Sequence, residues 1–414
     1  MVDNLILYRE NKDSLFYRFS KVLLEENVGA DFAHSAVSDL IFFGAKHGFY
    51  GNLWHCYMAN LIVNSENPYS LDCEIRGDLG GSVSELALKD FDIFLRLFHI
   101  DLKVLEDRFS IDAESIIDFH MNSDVSKMLN LRIRDCICEL SVSLEKADSK
   151  EEFREYVASF YKHFGVGVMG LHKAFRLDDN GDIEPINRIK HANLSDLVGY
   201  EHQKKQLIDN TESFINDKAA NNCLLFGDSG TGKSTSIKAI ANEYYESGLR
   251  IVEVYKHQFK YLNKLIGTLK DRNYKFIIYM DDLSFEDFEI EYKYLKAVIE
   301  GGLEKKPDNV LIYATSNRRH LIHESVSDNK EYDDMHKNDT KQEKLSLSRR
   351  FGVTIYFGAP SPKEFKEIVL ALKERYELDI PDEEVLMQAN AWEISHGGLS
   401  GRTAQQFIDY LRGK

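Results

Sequence analysis

The stretch Gly227-Asp228-Ser229-Gly230-Thr231-Gly232-Lys233-Ser234 constrains this chain more than any other. It has the form G-x-x-x-x-G-K-S, a loop whose backbone wraps phosphates. The apolar run Cys223-Leu224-Leu225-Phe226 before it is long enough for one buried strand. Thr235 to Tyr244 behind it carries apolar residues at helical spacing. Strand, glycine loop and helix in that order are the context the motif needs. The loop N–H groups and the helix N-terminus make a positive concavity for phosphate. Gly227, Asp228, Ser229, Gly230, Thr231, Gly232 and Thr235 are the expected cradle. Lys233 is expected to reach the β- and γ-phosphates, and Ser234 to place its hydroxyl on Mg²⁺. Four fixed positions match by accident in a chain of this length roughly once in a hundred.

The 414 residues suggest two or three domains, and 43% hydrophobic with 29% charged residues describes a globular chain with real cores. Six prolines argue against long disordered linkers. The net charge of −16 disfavours nonspecific nucleic-acid binding by the surface as a whole, while leaving room for a local basic channel. Cys56, Cys73, Cys136, Cys138 and Cys223 are odd in number and scattered, which reads as reduced core cysteines of a cytoplasmic protein. No run approaches the apolar length of a membrane span, and Met1-Val2-Asp3-Asn4 lacks the basic region of a signal peptide. No membrane association is expected.

Residues 1–165 read as a mostly helical domain. Phe91, Phe94, Leu95 and Phe98 fall at i, i+3, i+4 and i+7, and Ser149 with Glu152 makes a capping-box pattern before another such run. Gly165-Val166-Gly167-Val168-Met169-Gly170 has the G-x-G-x-x-G form, but a helix precedes it, so it reads as a helix stop and joint. Residues 166–193 read as a linker with a β-hairpin turning at Asn180-Gly181. The core, 194–360, alternates helices with the strands Cys223–Phe226, Ile251–Val254, Phe276–Met280, Val310–Thr315 and Val353–Phe357. Apolar strands alternating with helices imply a five-stranded parallel sheet covered on both faces, an α/β fold. Residues 361–414 read as a helical lid after Ala359-Pro360-Ser361-Pro362.

Phe276-Ile277-Ile278-Tyr279-Met280-Asp281-Asp282 is a buried strand that delivers carboxylates at its C-terminal edge. Beside a phosphate loop, Asp281 is expected to hold Mg²⁺ and Asp282 to orient an attacking water. Asn317 follows the strand Val310–Thr315, where an amide reaches both γ-phosphate and water. Arg349 and Arg350 end a helical stretch just before the last strand, and Arg402 opens the last helix. A guanidinium from a neighbouring subunit stabilises transition-state charge in other phosphate-loop enzymes. No Asn-Lys-x-Asp guanine reader is present, which favours ATP.

The order of these motifs resembles the AAA+ ATPase superfamily. Leu194-Ser195-Asp196-Leu197-Val198-Gly199-Tyr200 resembles that family's segment against the adenine, with Val198 and Gly199 in contact with it. Asp281-Asp282-Leu283-Ser284-Phe285-Glu286, Thr315-Ser316-Asn317-Arg318-Arg319-His320 and Leu345-Ser346-Leu347-Ser348 resemble a bacterial family of AAA+ ATP-binding proteins labelled as a domain of unknown function. The resemblance covers roughly residues 165–414. It implies that Lys233 and Ser234 hold phosphate and Mg²⁺, that Asp281 is the Walker B carboxylate and Asn317 sensor 1, and that Arg350 is the arginine finger and Arg402 sensor 2. Most AAA+ motors end Walker B with Asp-Glu. Here Asp282 is one methylene shorter, so slow turnover is expected, with Glu286 a candidate to share the role.

The resemblance implies a Mg²⁺-dependent ATPase, a homo-oligomer and most simply a ring, that remodels a protein partner. Two alternatives stay open. One is a helicase-loader-like ATPase acting on nucleic-acid machinery. The other is an ATP-switched binding module with little turnover. The stretch Lys256-His257-Gln258-Phe259-Lys260-Tyr261-Leu262-Asn263-Lys264 mixes basic and aromatic residues, and its plainest reading is an amphipathic helix. Arg318 to Lys344 reads as a long polar segment on the solvated surface.

Overall fold

The computed structural model describes residues 1–78, 80–121, 130–187, 192–285, 290–300, 307–317 and 350–413. It divides into two compact units, Met1–His172 and Lys173–Lys414. Among the described residues no helix is long and apolar enough to cross a membrane.

The first unit is helical. Its longer helices are Leu15–Leu24, Ala30–His47, Leu53–Asn64, Ser82–Phe98, Leu131–Glu145 and Lys150–Phe164. Side chains of Ser14, Asn52, Asn130 and Ser149 cap four of them by accepting from N–H groups of the first turn. The Glu152 carboxylate reaches back to the Asp148 N–H rather than to Ser149, so the box closes one residue early. Phe91, Phe94 and Phe98 turn inward as their spacing predicts, onto Phe16 and Phe153. Asp90, on the same helix, is fully buried and accepts from the backbone N–H groups of Ile6, Leu7 and Tyr8. The helix Lys150–Phe164 stops at Gly165 (φ 78°), and the short helix Gly167–Leu171 follows. All five cysteines are free thiols.

The second unit is built on a seven-stranded sheet. Its strands are β1 (Ala174–Leu177), β2 (Ile183–Pro185), β3 (Cys223–Gly227), β4 (Leu249–Glu253), β5 (Lys275–Met280), β6 (Val310–Ser316) and β7 (Val353–Phe357). The order is β2-β1-β4-β5-β6-β3-β7, parallel except for the β1–β2 hairpin. β3 to β7 are the five expected strands. The hairpin expected within a 166–193 linker instead extends the sheet to seven. Ala174, Phe175 and Leu177 are buried, and β1 covers the otherwise open edge of β4 with parallel pairing from Ala174↔Ile251 to Arg176↔Glu253. Its tight turn forms because the Asp178 carboxylate accepts from the N–H groups of Asn180 and Asp182, at 2.9 and 2.7 Å.

The basic and aromatic stretch after β4 is a 3₁₀ turn, Lys256–Tyr261, leading into the helix Leu262–Leu269. It buries Phe259, Leu262 and Leu265, while the Tyr261 hydroxyl and the Lys264 ammonium bond to Asp179 and Asp182 of the hairpin. The last three helices, Pro362–Arg375, Asp382–Ser395 and Gly401–Arg412, share a small core of Phe365, Val369, Val385, Phe407 and Ile408. A capping box between Ser361 and Glu364 starts the first of them, with Pro362 at its first position. Arg318 to Arg349 and Glu286 lie outside the described residues.

Candidate functional site

β3 runs into the glycine loop, and the helix Lys233–Glu243 leaves it. The glycines are required by close approach. At Gly227 (φ 135°) a Cβ would lie 2.1 Å from the Phe357 carbonyl oxygen, so β7 fixes the start of the loop. At Gly232 (φ 95°) it would lie 2.2 Å from Leu197 Cδ1. Asp228 is tied down by its N–H to Phe357 O and by its carboxylate, which accepts from the Ala359 N–H at 2.8 Å. The lid docks on the same loop, with Arg402 N–H donating to Gly230 O at 3.2 Å.

Lys233 is only 6% exposed. Its ammonium donates to Gly227 O (3.0 Å), Asp228 O (2.6 Å) and Asn317 Oδ1 (3.1 Å). Burial pulls its pKa down, against the raising effect of Asp228, Asp282 and Asp281, with Arg402 adding to the lowering. Three chain oxygens and three carboxylates thus face one buried cation.

β5 and β6 deliver the carboxylates. Asp281 Oδ1 accepts from Ser234 Oγ (2.7 Å) and from Thr315 Oγ1 (2.6 Å). Thr315 Oγ1 in turn accepts from the Asp282 N–H at 2.9 Å, and Asn317 Nδ2 donates to Asp282 Oδ1 at 2.8 Å. Asp282 holds a left-handed backbone, φ 50°, which turns its side chain away from the strand line. Burial works to raise the Asp281 pKa, but the hydrogen bonds donated by Thr315 and Ser234 outweigh it and the net shift is downward. An ionised carboxylate, a serine hydroxyl and a threonine hydroxyl form an all-oxygen cluster of the kind a hard divalent cation takes.

These groups line a cleft of about 890 Å³ between sheet and lid. Ser229, Gly230, Thr231, Gly232, Thr235 and Arg402 share it with Lys233, Ser234, Asp281, Asp282 and Asn317. The cleft also carries apolar and aromatic side chains, Leu197 and Val198 together with Ile368, Leu372 and Tyr376 of the lid. Its rim is polar. Arg375 pairs with Asp196 at 3.3 Å, and Gln405 donates to the Tyr376 hydroxyl and to Asp409. The size and the mix of apolar lining with a few convergent polar groups are those of a small-molecule site.

Four expected residues do not line the cleft: Gly227 and Asp228, which are held by β7 and the segment after it, and Gly199 and Arg350. At Gly199 a φ of 77° sets the bend before the helix Glu201–Ile215. Arg350, at the head of the edge strand β7, pairs with Glu300 and stays away from the cleft of its own chain. Arg349 lies outside the described residues. Several cleft residues escaped the sequence reading, among them Thr315, Arg375, Tyr376 and Gln405. Thr315 had a readable signal, a hydroxyl two residues before Asn317 at the end of an apolar strand. The lid residues had none, because their placement depends on how the last helices fold back.

The model of the family described as "Protein of unknown function (DUF815)" matches residues 170–414. The chain belongs to this family. Strand order and motif placement make its core an AAA+ P-loop NTPase fold with a helical lid. The Replication factor C large subunits of Methanococcus maripaludis and Methanococcus vannielii are each 31% identical over 85 residues. That match covers 20% of this chain and 18% and 17% of theirs, so the chain spans under a fifth of these relatives. Among solved structures, a mutant of RuvB from Thermotoga maritima is 18% identical with a TM-score of 0.38, over 54% of this chain and 66% of that one. A second, titled RuvB Holliday junction branch migration motor, is 14% identical with a TM-score of 0.34, over 54% and 73%.

Proposed function

We propose that this member of the family binds ATP with Mg²⁺ in the cleft, hydrolyses it slowly, and couples the cycle to remodelling of a protein partner in the bacterial cytoplasm. One observation carries the reading. Lys233, the Ser234–Asp281 pair and the Asn317–Asp282 pair converge beside the glycine loop in a cleft that also carries apolar and aromatic side chains. The loop glycines leave backbone N–H groups free to approach a polyphosphate, and the helix N-terminus adds its dipole. The lid supplies Tyr376 and Leu372 as the apolar bed for a base, and Arg402 as a second cation near the loop.

Ser234 and Asp281 are the residues that hold Mg²⁺, which neutralises charge on the phosphate oxygens when bound. Asp282 orients the attacking water, and Asn317 holds that carboxylate at 2.8 Å. Catalysis of this kind is positioning and charge stabilisation. Asp282 in place of a longer glutamate fits slow turnover. Arg350 lies off its own cleft and at the sheet edge, so it serves the cleft of a neighbouring subunit, most simply in a ring. In this reading residues 194–360, extended at the sheet edge by the hairpin of β1 and β2, form the motor core and 361–414 the lid. The alternatives are an ATP-switched binding module and a helicase-loader-like ATPase; the net charge of −16 weighs against the latter.

The test is nucleotide binding and turnover by the full chain at rising protein concentration, with and without single-stranded DNA. Lys233→Ala abolishes ATP binding, and wild-type turnover per subunit rises with concentration but not with DNA. Unchanged affinity in Lys233→Ala removes the cleft assignment. A rate per subunit independent of concentration removes Arg350 in trans. Binding without turnover leaves the switched module, and stimulation by DNA favours the loader.

A further inference from the structure

Tyr279 lies on β5 two residues before Asp281, so the two side chains leave the backbone on the same face. It is 2% exposed, and its hydroxyl, sealed from solvent, has no partner in hydrogen-bond geometry among the described residues. The polar groups beside that hydroxyl are the Asp281 carboxylate and the Ser234 hydroxyl. The register partner of Tyr279 on β6 is a control within the same fold. Tyr313 is equally buried, yet its hydroxyl is bonded to Asn210 and Thr211, each at 2.9 Å. A buried hydroxyl left unbonded lowers stability, and phenylalanine would fill the same space without that penalty. The two donors that hold Asp281, Ser234 and Thr315, both fall on Oδ1; Oδ2 accepts no hydrogen bond among the described residues.

We propose that Tyr279 is a positioning residue for the cation-binding carboxylate, its hydroxyl donating to Asp281 and fixing the rotamer that meets Mg²⁺. The proposal rests on the nucleotide reading above. It gives the unbonded hydroxyl a partner that is already beside it. Tyr279 shares its core cluster with Tyr313, but the partners of the Tyr313 hydroxyl belong to the helix Glu201–Ile215. Partners of metal-binding side chains typically change metal affinity by about 10–100-fold when removed.

The test uses full-length Tyr279→Phe, which keeps ring and volume. Affinity for a fluorescent non-hydrolysable ATP analogue is titrated with and without Mg²⁺, Mn²⁺ binding is followed by electron paramagnetic resonance, and melting is recorded without cation. Expected are an unchanged cation-free nucleotide affinity and a cation-free melting temperature at or above wild type. The cation concentration for half-maximal tightening rises about tenfold or more. In an Asp281→Asn background the same change adds nothing. Wild-type cation dependence in Tyr279→Phe overturns the proposal, as does a shift that survives Asp281→Asn. A lower cation-free melting temperature assigns the hydroxyl to folding and overturns it too. Wild-type protein that binds neither nucleotide nor Mn²⁺ sinks the nucleotide reading itself. Normal wild-type binding with an indifferent variant sinks Tyr279 alone.

Discussion

Asp90 in the helical unit and Asp281 in the sheet unit are carboxylates put to opposite uses. Asp90 is fully buried, and its oxygens accept from three successive backbone N–H groups at Ile6, Leu7 and Tyr8. Its charge is committed to holding the N-terminal segment on the helix Ser82–Phe98. Asp281 stands at the end of β5 facing a cleft, held among the described residues by bonds to Oδ1. Two buried tyrosines of the helical unit are likewise answered from within. The Tyr8 and Tyr161 hydroxyls bond to each other, and Tyr161 bonds on to Ile62 O. The sheet unit gathers polar groups at strand ends and leaves them valence. A charged side chain therefore tells of function only after its partners have been counted.

Exchanging the two carboxylates for neutral residues separates the two uses. Asp90→Ala leaves three backbone donors, that of the buried Tyr8 among them, without their acceptor and costs roughly 3–5 kcal/mol of stability, read as an early urea or thermal transition of the helical unit. A melting curve like the wild type would mean that water or another group replaces Asp90. Asp281→Asn does the reverse. Turnover falls about a hundredfold or more, roughly 3 kcal/mol of transition-state stabilisation, while the melting temperature stays close to wild type. If stability fell and turnover did not, the contrast between the units would be gone.

A smaller effect sharpens the contrast through pH. His55, in the helical unit, is 4% exposed, and burial pulls its pKa from the ordinary 6.5 to about 4. Because the folded value lies below the unfolded one, the neutral ring's contribution is whole above pH 6.5 and is lost as the pH falls toward 4. Urea melts at about pH 7 and about pH 4.5 should show the helical transition losing on the order of 2 kcal/mol, with the loss reduced in His55→Gln. An equal loss in the variant would assign the acid sensitivity elsewhere.

The glycine loop, the five core strands and the carboxylates after β5 were legible because backbone geometry dictates them. A phosphate loop needs its glycines where β7 and Leu197 come close, and a buried strand needs an apolar run. Asn317 was legible by its place after β6. The β1–β2 hairpin was seen, but not its place in the sheet. Four- and three-residue strands have too short a pattern to show that Phe175 and Leu177 cover the edge of β4. Tyr376, Arg375 and Gln405 were hidden for another reason. They sit on lid helices whose inward face is chosen by packing around Phe365 and Phe407, which no local pattern encodes. The helical unit yielded its helices and caps but no chemistry, because its polar side chains are turned to its own backbone.

The grip of the loop on its own lysine has a consequence for how ligands are admitted. The Lys233 ammonium already holds two loop carbonyls and the Asn317 amide oxygen. An incoming anion must therefore displace neutral ligands from a satisfied cation, so its arrival is a substitution rather than a capture. Weakly basic monoanions compete poorly in such an exchange, while a polyphosphate that also meets the helix dipole replaces all three at once. Releasing Asn317 from Lys233 frees it to move with Asp282, so the arrival of an anion at the loop is felt at the carboxylate that follows β5.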